Sequence, residues 1–238
     1  LLDIDARLLL DKFARIDLFD SDPSAVPYWN KLSRQVEPKQ IISKHLVDLT
    51  GAIDAWTKSL AKFLSTTKPC EHTLCTFLSE LHAPPPVFLM NRYHAMFSIN
   101  ILSQIPIFWR DRTIKLISTF WGIKPDGISI HLNQAIHMSM QRLLDGHLEG
   151  LDRSGAELLV LITDTEIYYY RRDQSSWQVE TAVDFESFRW RNYFCTRQQS
   201  WLWHILPQGL EDADHGVIHR VEAYELRRDT MPSLRHLI

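Results

Sequence analysis

Glu157-Leu-Leu-Val-Leu-Ile-Thr163, followed by Asp164-Thr165 and then Glu166-Ile-Tyr-Tyr-Tyr-Arg171, is the stretch on which the fold turns. β-Branched and aromatic residues crowd both runs and a polar dipeptide separates them, so the pattern predicts two strands joined by a turn. Beyond the polar Arg172-Asp173-Gln174-Ser175-Ser176 comes Trp177-Gln-Val-Glu-Thr-Ala-Val183. It alternates Trp177, Val179, Thr181 and Val183 against Gln178, Glu180 and Ala182, as a third strand would. Together the three read as a small antiparallel meander whose first strand is apolar enough to be central.

Outward from this meander the periodicity is helical. Towards the N-terminus, Leu2, Leu9, Phe13 and Ile16 recur at helical spacing opposite Asp3, Arg7, Asp11 and Arg15, and Asp20-Ser21-Asp22-Pro23 ends the run. Pro27 and Pro38 each stand where a first-turn proline opens a helix. From Pro38 to Ser65, Ile42, Leu46, Leu49, Ile53, Trp56, Leu60 and Phe63 step by three or four, with Gly51 inside. A short helix carrying Leu74, Phe77, Leu78 and Leu81 follows, closed by Pro84-Pro85-Pro86. Val87 to Ile105 and Phe108 to Trp121 read as two more helices divided by Pro106. Lys124-Pro125-Asp126-Gly127 is a turn and the best internal boundary.

Asn133 to Leu144 is again helical. The three glycines of Asp145 to Gly155 mark a loop before the first strand. After the meander, Phe185 to Leu206 reads as helix, and Gly216 to Leu226 as a closing strand or helix. The expected fold is therefore α+β: an N-terminal helical array, residues 1–124, then a small antiparallel meander packed with C-terminal helices in a mixed region, residues 125–238, with one continuous domain as the alternative.

The chain has 238 residues with 45% hydrophobic and 23% charged, an ordinary globular composition. Its net charge of −3 is unevenly spread. Through Lys124 there are 15 basic residues against 12 acidic; after it there are 11 against 17, and all the basic ones are arginine. A Schiff-base or phosphate-binding lysine cannot come from the second half. The acidic balance there disfavours nucleic acid as a partner, leaving a modest basic stretch, Lys31, Arg34, Lys39 and Lys44, as the only support for a nucleic-acid-binding module.

Cys70, Cys75 and Cys195 are too few and odd in number for an extracellular disulfide framework. No Asn-x-Ser/Thr sequon occurs, and Leu1-Leu-Asp-Ile-Asp5 has no basic leader region. An intracellular, cytoplasmic location is expected. The most apolar stretch, Val87 to Trp109, contains Asn91, Arg92, His94, Asn100 and Gln104, so no membrane span is expected.

No Gly-x-Gly pair, phosphate-binding Gly-Lys loop, Gly-x-Ser-x-Gly elbow or His-Glu-x-x-His helix is present. Asp145-Gly-His147-Leu-Glu149-Gly150-Leu-Asp152 superficially resembles a calcium loop, but Ala156 occupies the position of the bidentate carboxylate. Cys70, His72, Cys75 and His82 are residue types zinc accepts, although Cys75 falls in helical phase with core residues. Asp212, Asp214, His215 and His219, with Glu222 and Glu225, form the densest ligand-capable cluster. On a strand the two histidines would stand about 13 Å apart, too far for one ion. Asp164, Glu166 and Glu180 are the carboxylates a metal-dependent hydrolase or nuclease would use, but Ala182 stands where its lysine belongs. No cofactor is implied, and no metal site is assigned.

The remaining lead is Phe188-Arg189-Trp190-Arg191-Asn192-Tyr193-Phe194, followed by Arg197, Trp201 and Trp203. Arginine interleaved with aromatics supplies the anchors of protein interfaces, and on a helix Trp190, Phe194 and Trp201 would form one stripe. With 26 aromatic residues, eight of them Trp, and no catalytic motif, the chain is expected to be a non-catalytic protein-interaction or adaptor subunit of a larger intracellular assembly. Its partner is another protein, bound through Arg189, Trp190, Arg191, Arg197 and Trp201. The alternative is the metal-dependent hydrolase.

Overall fold

The computed structural model describes residues 12–34, 41–86, 93–171, 178–183, 188–206 and 215–228. Strands appear from the start: β1 (Arg15–Asp20) pairs in parallel with β2 (Ile41–Leu46), and α1 (Ala25–Ser33) connects them. Pro27 lies in the first turn of α1, where its missing N–H costs nothing. Then follow α2 (Ile53–Thr66), α3 (Glu71–Glu80), β3 (Ala95–Ile99), α4 (Ile101–Trp121) and α5 (Ile130–Arg153). Among the described residues every element after α5 is a strand: β4 (Leu158–Arg171), β5 (Gln178–Thr181), β6 (Tyr193–Leu206) and β7 (His215–Arg228).

These strands form one mixed sheet in the order β3-β4-β7-β6, with β5 beside β4. β3 runs parallel to β4 and the other pairings are antiparallel. The α+β class holds, but the expected order does not. There is no purely helical N-terminal array, the sheet is not a simple meander, and strands replace the expected C-terminal helices.

Each departure has a local cause. The helix expected from Pro38 begins only at Ile53, because Asp48 and Thr50 cap it there. Thr50 Oγ1 accepts from the N–H groups of Ala52 (3.1 Å) and Ile53 (3.0 Å), and Asp48 Oδ2 accepts from Asp54 N (3.0 Å). Gly51, with φ at +68°, is the left-handed turn preceding the helix and not a glycine inside it. The expected first helix divides between residues 1–11, outside the described residues, and strand β1. In the predicted helix from Val87, residues 87–92 lie outside the described residues and 95–99 are strand.

Pro106 does not divide α4; it is buried, and only one backbone bond is lost. The glycine-rich loop expected from Asp145 is the last part of α5. Gly146 is there for close approach: a Cβ at this position would lie 2.8 Å from the Ala83 carbonyl oxygen. The turn expected at Asp164-Thr165 is a β-bulge inside one long strand, because pairing with β7 continues on both sides of it.

Two cores result. The first gathers Trp56, Leu60, Leu74, Leu78, Trp109, Ile117, Ile136 and Leu143 among the helices, with Trp56 and Trp109 meeting edge to face at 5.3 Å. The second packs Leu144, Leu148 and Leu151 of α5 onto Leu159, Leu161, Tyr224 and Leu226 of the sheet. α5 therefore serves both, its N-terminal half in the helical core and its C-terminal half on the sheet. Lys124-Pro125-Asp126-Gly127 forms a short 3-10 turn between α4 and α5, and across it Trp109 Nε1 donates to Ser139 Oγ (2.8 Å). Among the described residues, no helix is long and apolar enough to cross a membrane.

Candidate interaction surface

Among the described residues, β6 forms one edge of the sheet. Its aromatic and β-branched residues suit an extended backbone, and β7 pairs with it along its length, which overrides the helical spacing of Trp190, Phe194 and Trp201. Every residue from Phe194 to Ile205 is exposed, including Trp201 (40%), Leu202 (57%), Trp203 (41%) and Ile205 (44%). Register shifts fall between Arg197 and Gln199 and between His204 and Leu206, so Gln199 to His204 is the regular part of this edge.

The register assigns side chains to the two faces. Trp201, Val221 and Asp164 occupy one row across the sheet, and Trp203, His219, Ile167 and Glu180 the next row of the same face. The opposite face carries the second core at Tyr224 and Leu226, and beyond it a set of mutually compensated charges. Arg197 Nη1 donates to Glu222 Oε1 at 3.1 Å, and Tyr224 Oη donates to the same carboxylate. Arg220 Nε lies 3.1 Å from Glu166 Oε2, which also accepts from Tyr168 Oη. That bond pushes the Tyr168 phenol pKa above its usual value, because ionisation would set two anions together. Glu222 is buried, and Arg197 together with Tyr224 makes its burial tolerable.

The bulge at Thr165 also decides the fate of the expected carboxylate set. Asp164 pairs with Val221 and Glu166 with Arg220, consecutive residues of β7, so the two acids address opposite faces. Asp164 is buried; its Oδ2 accepts from Ser103 Oγ (2.8 Å) and lies 3.3 Å from His219 Nδ1. Its Oδ1 has no hydrogen-bond partner among the described residues. The carboxylate stands between serine and histidine, whereas activation of a serine nucleophile needs the histidine between the other two. Glu180 sits opposite Ile167 and accepts from Gln178 Nε2 (3.2 Å).

The other sequence candidates are likewise dispersed. Asp212 and Asp214 lie outside the described residues; His215 and His219 are four residues apart on β7, and Glu222 faces the opposite side from His219. Cys70 is exposed ahead of α3, where hydrogen bonds from Thr73 lower its thiol pKa, while Cys75 packs against the helical core. Among the described residues, no three His, Cys, Asp or Glu side chains gather around a common point.

Asp152, expected in a loop, is a buried anchor in the last turn of α5. Its carboxylate accepts from Arg191 N (3.1 Å), Asn192 N (3.0 Å) and Asn192 Nδ2 (3.1 Å), fixing the segment that leads into β6. Trp190 is half-buried against the sheet core, edge to face with Phe188 and Tyr193. Arg189 and Arg191 are exposed and line a shallow cleft with Asp145, Glu149 and Arg153. Of the five residues expected to bind a partner, Arg197 and Trp201 thus share the exposed edge strand. Leu202, Trp203 and Ile205 join them there; alternation of apolar residues at 201, 203 and 205 was the available signal for a strand. In the first half, Lys44 Nζ donates to Asn30 Oδ1 at 2.9 Å. Comparison of the chain with protein-family models, with curated proteins and with solved structures finds no match.

Proposed function

We propose that this chain is a non-catalytic protein-interaction subunit of a larger intracellular assembly, and that the β6 edge receives its partner. The observation that carries the reading is the character of that edge. Sheet edges in soluble proteins are ordinarily blunted by lysine, proline, inward-pointing charge or β-bulges, and the bulges of β6 flank the segment Gln199 to His204 without interrupting it. From Phe194 to Ile205 there is no lysine or proline, and the one arginine, Arg197, is engaged by Glu222. Between the two bulges, Gln199 to His204 offers a row of main-chain donors and acceptors flanked by Trp201, Leu202 and Trp203. An extended segment adding to this edge gains main-chain hydrogen bonds along the strand and large apolar contacts at alternate positions. Arg197 and Trp201 are contact residues on this reading, and Trp190 supports the strand from within.

The test is a photo-crosslinking residue placed at Leu202 in the chain expressed in cells, with Ile130, 70% exposed at the start of α5, as control. Adducts to protein at position 202, their absence at position 130 and their loss with Trp203→Lys are the expected outcome. Equal labelling at both positions, or no adduct at 202, overturns the reading.

A further inference from the structure

We infer that the occupant of the β6 edge is the same edge of a second copy, paired antiparallel about Leu202. The inference rests on the reading of β6 as a docking edge and names its partner. It begins from a local symmetry: Ser200-Trp201-Leu202-Trp203-His204 reads Trp-Leu-Trp in both directions, with a small polar residue and a polar ring outside. Two identical strands joined edge to edge in antiparallel fashion are related by a twofold axis perpendicular to the sheet. Such an axis passes midway between one residue and the same residue of the copy, which thus pairs with itself.

With Leu202 paired to its own copy across the axis, Trp201 lies opposite the partner's Trp203, and Ser200 opposite the partner's His204. This axis also keeps each face on its own side. All four tryptophans then come together on the face that carries Val221 and Ile167, and the two Leu202 side chains meet on the other. Cross-strand aromatic pairs are among the stabilising pairs of antiparallel sheets.

Two further observations favour a second copy over a foreign strand. The bulges at Gln198 and Ile205 bracket a regular window, Gln199 to His204, that contains Leu202 and the full Trp-Leu-Trp symmetry. That window carries no Lys, Arg, Asp or Glu; Arg220, opposite Leu202 on β7, is paired with Glu166, and Glu222, opposite Ser200, is paired with Arg197. Like therefore meets like without repulsion, and the edge offers no unpaired charge with which to select an acidic or basic peptide. Pairing joins β3-β4-β7-β6 to its copy as one continuous sheet. A regular contact of five residues per strand, Ser200 to His204, is smaller than the roughly 800 Å² per partner of a standard interface, so micromolar association is expected.

The experiment uses the purified full chain. Sedimentation from about 1 to about 200 µM is expected to show monomer passing to dimer, and Trp203→Lys to raise the dissociation constant at least about tenfold. Register is read separately. In a background with Cys70, Cys75 and Cys195 changed to Ser, Leu202→Cys is expected to give a disulfide-linked dimer under mild oxidation, and Gln199→Cys is not. Cβ atoms directly opposite in such a pair stand about 4.5–5.5 Å apart, within reach of small adjustments to disulfide geometry. Monomer at every concentration, with adducts to other proteins still forming at position 202 in cells, overturns the second copy and leaves the docking edge standing. Absence of any adduct at 202 removes both. A dimer in which Gln199→Cys crosslinks and Leu202→Cys does not overturns the register.

Discussion

Replacing Asp152 by alanine removes the anchor of the segment that feeds β6. The carboxylate is 4% exposed and accepts from two consecutive main-chain N–H groups, of Arg191 and Asn192, and from the Asn192 amide. Alanine leaves the two main-chain N–H groups without that acceptor, while Asn192 Nδ2 keeps its bond to the Asp152 main-chain oxygen (3.0 Å). A buried donor left unpaired costs about 1–3 kcal/mol, and water reaching the exposed Arg191 side keeps the sum towards the lower end. A loss of about 2–3 kcal/mol is expected, which for a chain of this length lowers Tm by roughly 4–12 °C. Asp152→Asn retains a carbonyl oxygen for the two N–H groups but turns an amide donor towards Asn192 Nδ2, so an intermediate loss is expected. Urea denaturation of the three proteins, with amide exchange followed from Arg191 to Cys195, reads both effects. If alanine falls within about 0.5 kcal/mol of the parent, as surface substitutions do, Asp152 does not hold the strand.

Two further perturbations probe α5. Gly146→Ala gains about 1 kcal/mol of helix propensity, yet its Cβ falls 2.8 Å from the Ala83 carbonyl, in a segment held by Pro84-Pro85-Pro86 and by the Trp56 indole bond to His82 O. Overpacking of about 1–3 kcal/mol is expected to offset or exceed the gain, whereas a clear rise in the urea midpoint would show that the contact yields freely. His147, fully buried one residue on, donates Nδ1–H to Leu49 O (2.9 Å), and burial lowers its pKa from 6.5 to about 4. The unfolded chain takes up this proton first, so stability falls as pH drops from about 6.5 towards 4 and levels below that. Between pH 7 and pH 5 the parent should lose about 2 kcal/mol more than His147→Asn, measured by urea midpoints; equal losses would sink the assignment.

The elements legible in the sequence are those whose signal is local. The short helix around Leu74 and Leu78 follows from its apolar spacing, and the run Leu158 to Ile162 from its β-branched and aliphatic crowding. Where two periodicities competed, spacing misled. Trp190 to Leu206 contains both Trp190, Phe194 and Trp201 at helical intervals and Trp201, Trp203 and Ile205 at strand intervals, and only pairing with β7 selects the second. Glycine was ambiguous in the same way, since a Gly146 that admits Ala83 to a helix reads no differently from a glycine in a loop.

The candidate site was legible in composition and not in arrangement. Arg197 and Trp201 were singled out and lie on the exposed edge, but their neighbour Trp190 turned towards the sheet core. The acidic residues of the strands were found as well, yet a one-residue bulge at Thr165 sends Asp164 and Glu166 to opposite faces. No spacing rule anticipates that, because the bulge is set by what each strand pairs with.

The sequence by itself determined the charge asymmetry, the absence of common catalytic motifs, the α+β class and the concentration of tryptophan and arginine between residues 188 and 203. Those are properties of residues and short windows. Tertiary structure alone decided the order of elements, the single mixed sheet and which strand lies at its edge. The reason is physical: a backbone that must satisfy every N–H and C=O takes its final form from the strand beside it, and for β6 that strand is β7, brought alongside only when the whole sheet forms.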